Sequence, residues 1–421
     1  MLDVKFIREH IDLVKKGAEI KRIKVDLDRL LDLDNEMRPL QLQLEKLLAD
    51  RNRLSKDIGK ASPADREVLK TAVQDIKGKV ETITETLKPK KEEYDALMLL
   101  VPAPPAEGVP VGKDDSENVP IRHVGEVPKF SFTPKDHAAL GERLGIIDVQ
   151  RGVKLAGSRS YVLKGDGALL EQAVLRYTYD KLVKKGYTPL SIPVLVKEDA
   201  MVGTGYFPIG REQAYCVEKD ALVLVGTAEV SLTSFYSDET LEESALPVRF
   251  FAQSPCFRRE AGTYGKDAKG LYRVHQFQKI EQVIVCKNDI EESKRMHAEI
   301  LGNAESILQD FGLPYRVVDV CTGDLGQGQV RKNDIETWMP SRNGYGETHS
   351  CSTFYEFQAR RLKLRYKDKT GKTLFCHTLN NTAIATPRIM ICLLECFQEA
   401  DGRVRIPEVL RPYMGGKSHI G

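Results

Sequence analysis

The stretch Phe257-Arg258-Arg259-Glu260-Ala261-Gly262, continued by Thr263-Tyr264-Gly265-Lys266 and closed by Arg273-Val274-His275-Gln276-Phe277-Gln278-Lys279-Ile280-Glu281, decides how the rest of the chain is read. Two strand-like segments flank a loop rich in Gly and Lys. Arg258 and Glu260 alternate with an apolar pattern and so are expected on one face of the first strand; Phe277 and Glu281 share a face of the returning strand. An arginine, a glutamate, an aromatic ring and a second glutamate then converge on one surface. Charges on the solvated face of an antiparallel sheet would give the same pattern without any function. Both readings stay open on this stretch alone.

Around it, from about residue 130, strand and helix patterns alternate. Strands are expected near Val223–Gly226, Val248–Ala252, Gln278–Val285, Arg316–Val320 and Lys363–Tyr366, and helices over Ile290–Phe311 and Thr386–Gln398. Several hairpin-like strand pairs argue for an α+β domain on a largely antiparallel sheet flanked by helices. The first hundred residues differ. Leu30, Leu33, Met37, Leu40, Leu44, Leu47, Leu54 and Ile58 follow a three-four repeat, which restarts after Gly59-Lys60-Ala61-Ser62-Pro63 at Leu69, Val73, Ile76, Val80, Ile83, Leu87, Tyr94 and Leu97. Two apolar seams joined by a Gly/Pro turn predict a long antiparallel helical hairpin, a coiled coil over about 28–100, with bends at Pro39 and Pro89. The expected organisation is a helical arm domain over 1–105, a Pro-rich linker over 106–125 and a second domain over 126–421.

Charge along the hairpin is segregated. Lys46 to Lys79 holds nine Lys/Arg against five Asp/Glu, whereas Asp28–Glu45 and Val80–Leu100 together hold five against ten. A basic tip suits contact with phosphates, yet mixed charge is also usual in a solvated coiled coil. The whole chain has 421 residues, 41% of them apolar and 29% charged, and a net charge of +2. Nothing in that total announces a nucleic-acid partner. The first residues lack the basic-then-apolar pattern of a signal peptide, and no apolar run approaches membrane-spanning length, so a cytoplasmic chain with no membrane partner is expected. All eight cysteines lie between Cys216 and Cys396 without Cys-x-x-Cys spacing; buried thiols are expected rather than structural zinc. Gly108 to Lys113 and Gly371-Lys372-Thr373 lack the spacing of a phosphate-binding Walker loop.

Three segments in order carry a resemblance. Phe257-Arg258-Arg259-Glu260 with its loop and return strand resembles motif 2 of the class II aminoacyl-tRNA synthetases. Ala383-Ile384-Ala385-Thr386-Pro387-Arg388 resembles their motif 3, and Lys185 to Pro193 their motif 1. Thr227-Ala228-Glu229, Glu347 to Ser352 and Leu379-Asn380-Asn381-Thr382 are similar to signature elements of the seryl-tRNA synthetases, and the hairpin resembles that family's tRNA-binding arm. The terminal Ser418-His419-Ile420-Gly421 is like a class I signature, but no nucleotide-binding unit follows it, and it is read as chance.

The resemblance implies ATP-dependent activation of L-serine and its transfer to the 3′ end of the serine tRNA, and of the selenocysteine tRNA. Arg258, Glu347 and Arg388 would be catalytic. Arg258, Arg259, Glu260, Arg273, Val274, Phe277, Glu347, Thr348, His349, Ser350 and Arg388 would form the ATP site, with Arg258 bridging the α-phosphate and the serine carboxylate. Phe277 and Arg388 would cover the two faces of adenine. Glu347 and Ser350 would hold Mg²⁺. Thr227, Ala228, Glu229, Arg258, Glu281, Asn380 and Thr382 would bind serine, with Glu281 and Thr382 on its hydroxyl. Arg51, Arg53, Lys56, Lys60, Arg66 and Lys70 at the arm tip, and Lys266 and Lys269 in the motif 2 loop, would touch tRNA, the arm gripping its long variable arm. Motif 1 implies a homodimer in which the arm of one subunit serves the other's active site. Two rivals share the sequence: a paralogue passing serine to a carrier protein or peptide product, and a non-catalytic RNA-binding descendant.

Overall fold

The computed structural model describes residues 1–262 and 270–421, the side chain of Ala64 aside. The chain divides into two compact units, Leu2–Pro102 and Ala103–Gly421 together with Met1.

In the first unit, short helices Val4–Glu9 and Ile11–Ile20 precede the hairpin of α1 (Leu27–Ile58) and α2 (Pro63–Leu100). Asp26 caps α1 by accepting from the Arg29 amide; Ser62 caps α2, with Pro63 at the first position where a missing amide costs nothing. Met37, Ile83 and Leu87 form a buried seam, flanked by Leu40, Leu44, Leu47 and Tyr94. At 1.5 Å per residue the limbs span about 48 and 57 Å. Pro39 and Pro89 both lie inside helices that continue through them.

The second unit is built on an eight-stranded sheet: β1 (Val119–Val124), β2 (Thr188–Pro189), β3 (Val248–Phe257), β4 (Gln276–Cys286), β5 (Tyr315–Asp319), β6 (Arg331–Met339), β7 (Gly344–Tyr355) and β8 (His377–Ala385), in the order β1-β5-β6-β7-β8-β4-β3-β2. All neighbours are antiparallel except β2 and β3. One face is covered by α3 (Asp166–Lys184), α4 (Ile290–Phe311) and α5 (Arg388–Cys396), whose apolar stripes meet Ile280, Ile284, Ile335, Cys351 and Leu379. Strand alternation leaves the other residues of β4, β6, β7 and β8 on the opposite face, where the cleft lies. Seven of the eight cysteines are buried, and all are free thiols. Among the described residues no helix is long and apolar enough to cross a membrane.

The segment 106–125, expected as a linker, is built into this unit. Ala106 N–H donates to Val330 O at 2.8 Å, Thr322 N–H to Pro110 O at 2.9 Å, and β1 pairs with β5. A second correction concerns the opening stretch. Arg258 and Glu260 do not share a strand face, because β3 ends at Phe257. The Arg259 amide is taken by Gln213 O at 2.9 Å, and Glu260 turns into the left-handed region at φ 52.

Candidate functional site

Arg258, Phe277, Glu281, Glu347, Thr382 and Arg388, which span 131 positions of sequence, line a single cleft. Two irregularities in the sheet shape it. Pairing of β4 with β8 shifts between Ile280 and Glu281, so Ala383 is an extra residue. Ile384 thereby stays in the core opposite Ile280, while Thr382 faces Glu281 across the ladder. A like shift between Ile335 and Glu336 leaves Thr348 extra and sets Glu347 against Glu336. Bulges of this kind re-aim side chains at the cost of one ladder rung.

Arg258 extends the hairpin by one rung, its amide donating to His275 O at 2.9 Å. Its guanidinium lies 5.3 Å from the Phe277 ring centroid and donates through Nε to Gly226 O at 3.2 Å. Glu260 pairs with Arg273 at 3.1 Å. Across the cleft Arg388, the first residue of α5, donates through Nη1 to Glu347 O at 2.8 Å and to its carboxylate at 3.2 Å. Arg388 Nε donates to Tyr272 O, and its guanidinium lies 4.3 Å from the Tyr272 ring, on which Arg342 also packs at 3.7 Å. Burial pushes the half-exposed Glu347 carboxyl up, but Arg388 and then Lys332 outweigh it and hold it at about 2. Asp334, buried beside Lys332 at 2.9 Å, is raised above the usual carboxylate range by burial, with Lys332 opposing and Glu347 adding to the rise. Val274, Thr348 and His349 are buried against the same cleft. Burial lowers His349 to about 3, so its ring is neutral.

At the inner end, Glu281 is 2% exposed and accepts from Thr227 Oγ1 at 3.2 Å and Thr382 Oγ1 at 3.4 Å, and it is ion-paired with Lys279. Glu229, also buried, accepts from Tyr206 Oη at 2.7 Å and Gln358 Nε2 at 2.8 Å. Burial, and then Glu281, raise its carboxyl to about 7. Asn380 lines the cleft with its buried Nδ2 unpartnered. The ingredients are thus a rigid arginine at each end, an aromatic ring, and a small polar pocket floored by two carboxylates. Such a set suits an anionic, ring-bearing ligand beside a small zwitterion.

Some expected residues stand elsewhere. Arg259 does not line the cleft: it is exposed, and its Nη1 donates to Glu212 O at 3.3 Å. Ala228 is fully buried behind the pocket against Leu232, Phe250 and Ala252. Lys266 and Lys269 lie outside the described residues. No group of three or more His, Cys, Asp or Glu fit to hold a metal occurs among the described residues; Glu347 and Ser350 both face the cleft. Of the arm residues, Arg53, Lys56, Lys60, Arg66 and Lys70 are exposed and Arg51 is half-buried; Arg53 pairs with Asp50 and Lys70 with Glu67. Sequence reasoning missed Lys279, Tyr206, Gln358, Tyr272, Lys332 and Asp334. For Lys279 a signal existed: it stands two positions before Glu281, on the same strand face.

The described end of the motif 2 loop is fastened from below. His137 Nδ1 is 2.7 Å from Glu395 Oε1, and its Nε2 accepts from Leu271 N–H at 3.1 Å, which fixes the proton on Nδ1. Gly270, at φ 77, has no room for a Cβ, which would lie 2.1 Å from His137 Nε2.

Comparison with known proteins bears on this geometry. The family model of the tRNA synthetase class II core domain (G, H, P, S and T) matches residues 215–397, and that of the seryl-tRNA synthetase N-terminal domain matches residues 1–105. The chain is 47% identical to the serine–tRNA ligase of Deinococcus radiodurans, over 100% of this chain and 99% of that one, and 42% identical to that of Treponema denticola, over 99% of each. Its structure is similar to that of the seryl-tRNA synthetase of Pyrococcus horikoshii complexed with ATP, with TM-score 0.88 and 37% identity over 100% of this chain and 99% of the other. The cytoplasmic serine–tRNA ligase of Naegleria fowleri in complex with AMP follows at 0.85 and 31%, covering 100% and 98%.

Proposed function

Because the chain belongs to the seryl-tRNA synthetase family, class II enzymes that activate serine with ATP and charge tRNA with it, we propose that the cleft between Arg258 and Arg388 carries out both steps, activation and transfer. The observation that carries this reading is the convergence of those six dispersed residues on one cavity.

In the first step a serine carboxylate oxygen attacks the α-phosphorus of ATP, and pyrophosphate leaves. Both partners are anionic, so positioning and charge neutralisation supply most of the catalysis. Arg258 spans carboxylate and α-phosphate with a planar fork that a lysine cannot reproduce. Adenine stacks on Phe277 with Arg388 on its other face, and Glu260 accepts from its amino group once turned from Arg273. The backbone of Arg273, Val274, Thr348 and His349 completes the ATP site. Glu229 and Thr227 receive the serine ammonium beside Ala228 and Asn380, while Glu281 and Thr382 receive the hydroxyl. A buried carboxylate built to meet a hydroxyl disfavours alanine and glycine, which leave it unmet. In the second step the terminal ribose hydroxyl of tRNA attacks the seryl carbonyl, and AMP leaves.

Glu347 and Ser350 fit a magnesium ion: they offer hard oxygens, the carboxylate stays ionised, and Mg²⁺ commonly takes only one or two protein oxygens beside phosphates and water. When bound, the ion neutralises phosphate charge. The basic arm tip, with Arg51, Arg53, Lys56, Lys60, Arg66 and Lys70, grips the long variable arm of the serine tRNA, and of the selenocysteine tRNA; Lys266 and Lys269 meet the acceptor end. The enzyme acts as a homodimer, each arm serving the partner's site. Exposed apolar side chains of Leu195 (44%) and Phe235 (51%) around one depression support such a contact. Its place is the cytoplasm, where translation draws charged tRNA.

The test is serine-dependent ATP–pyrophosphate exchange, followed by charging of a serine tRNA with and without its variable arm. Exchange and arm-dependent charging are expected. Exchange without charging would point to a carrier protein or peptide acceptor; absence of exchange would point to a non-catalytic RNA-binding protein.

A further inference from the structure

Lys279 is 5% exposed and stands on the cleft face of β4, two residues before Glu281. Its ammonium is ion-paired with the Glu281 carboxylate and donates to Thr227 Oγ1 at 2.7 Å. Thr227 in turn donates to the same Glu281 oxygen, as does Thr382. A buried lysine with no role but packing would be a costly choice on this strand, since an apolar residue of similar volume often serves stability as well or better.

The charges around the pocket account for the lysine. At the inner end Glu229 and Glu281 are buried carboxylates, with Arg258 and Lys279 the cations beside them; the other charged side chains of the cleft are paired, Arg273 with Glu260, Lys332 with Asp334 and Arg388 with Glu347. An amino acid brings one carboxylate and one ammonium. With the first on Arg258 and the second on Glu229, the remaining pair, Glu281 and Lys279, is already closed. The side chain that enters must then be neutral.

We propose that Lys279 is a specificity-determining residue: by occupying Glu281 as a built-in counterion it reserves the pocket for a hydroxyl and rejects an amino acid with a β-ammonium, 2,3-diaminopropionate. This rests on the reading that Glu281 receives the serine side chain. Serine and 2,3-diaminopropionate have the same heavy-atom skeleton, with an ammonium nitrogen replacing Oγ. Pocket size therefore does not separate them, and charge does. A β-ammonium at the hydroxyl position would meet Lys279 in a water-poor pocket, where like charges repel strongly.

The experiment is ATP–pyrophosphate exchange with serine, 2,3-diaminopropionate and the neutral analogue 2-aminobutyrate, on the wild-type enzyme, Lys279→Met, Lys279→Arg and Glu281→Gln, with thermal unfolding of each. Wild type is expected to use 2,3-diaminopropionate at least about 100-fold less well than serine, as like-charge contact implies, and less well than 2-aminobutyrate. Lys279→Met is expected to lose serine mainly through KM and to gain 2,3-diaminopropionate, narrowing the ratio by about 100-fold or more. Lys279→Arg keeps the charge and the preference. A folded Lys279→Met enzyme with an unchanged ratio would overturn the proposal, as would a wild-type enzyme that prefers 2,3-diaminopropionate to 2-aminobutyrate; the second comparison stands even if Lys279→Met does not fold. Glu281→Gln separates the two levels. If it leaves serine activation unchanged, the assignment of Glu281 itself fails; if it impairs serine use while Lys279→Met leaves the ratio alone, only the role of Lys279 does.

Discussion

Arg258 and Arg388 reach the cleft from different elements and are held in different ways, one against Phe277 beyond the end of β3, the other as the first residue of α5 on the Tyr272 ring and Glu347. Each is a fixed, planar cation, so Arg258→Lys keeps the charge and loses the fork. We expect it to lower serine-dependent exchange by about 100- to 1,000-fold, the scale of losing one preorganised charge contact, with its melting temperature little changed. Glu229 makes a pH prediction. Its carboxyl is raised to about 7, and only its ionised form pairs with an ammonium. KM for serine is expected to fall as pH rises through about 7, and Glu229→Gln to flatten that slope. The linked stability runs the other way. A carboxyl raised from 4.5 favours the protonated fold, so the ligand-free enzyme loses this contribution as pH climbs towards 7. Arg258, Glu281 and Arg388 were legible because their spacing matches motifs. Lys279 was passed over despite standing two positions before Glu281 on the same face, because a lysine on a strand reads as surface until its partner is seen.

Among the elements, the helical hairpin and α4 were the most legible, since apolar residues that keep a three-four spacing over many turns fit a helix and little else. The strand ends were the least. Sequence alternation carried Arg258 and Glu260 along one face, but the Gln213 carbonyl captures the next amide and ends the ladder. The bulges at Ala383 and Thr348 had no sequence signal either, being set by which residues their partner strands present. One element can be tested at a single atom. Gly270→Ala places a methyl against His137 at a backbone angle that disfavours it, and a strained site of this sort costs about 1–3 kcal/mol. It is expected to lower the melting temperature and to slow transfer to tRNA more than exchange, since the loop it anchors faces the acceptor end in our reading. Equal loss in both assays would argue against that division.

Across the molecule, our proposal divides the labour between the two units, chemistry in one and recognition in the other. Replacing the basic tip, Lys46 to Lys79, by a short turn should leave exchange intact and raise KM for tRNA, with a shallower salt dependence of charging. A drop in exchange would tie the arm to activation. The fold class was legible at this scale, whereas the linker expected over 106–125 was not: prolines between residues 102 and 120 read as a linker, but backbone pairing with β5 and the 322–330 region ties much of that segment into the sheet unit. The central claim is that one cleft holds serine and ATP together between Arg258 and Arg388. It is tested most directly by calorimetric titration with a non-hydrolysable seryl-adenylate analogue, alone and with saturating ATP or saturating serine. The account predicts a single site per chain, competition by each substrate separately, and loss of binding in Arg258→Ala. Undiminished binding of the analogue in the presence of either substrate would contradict it.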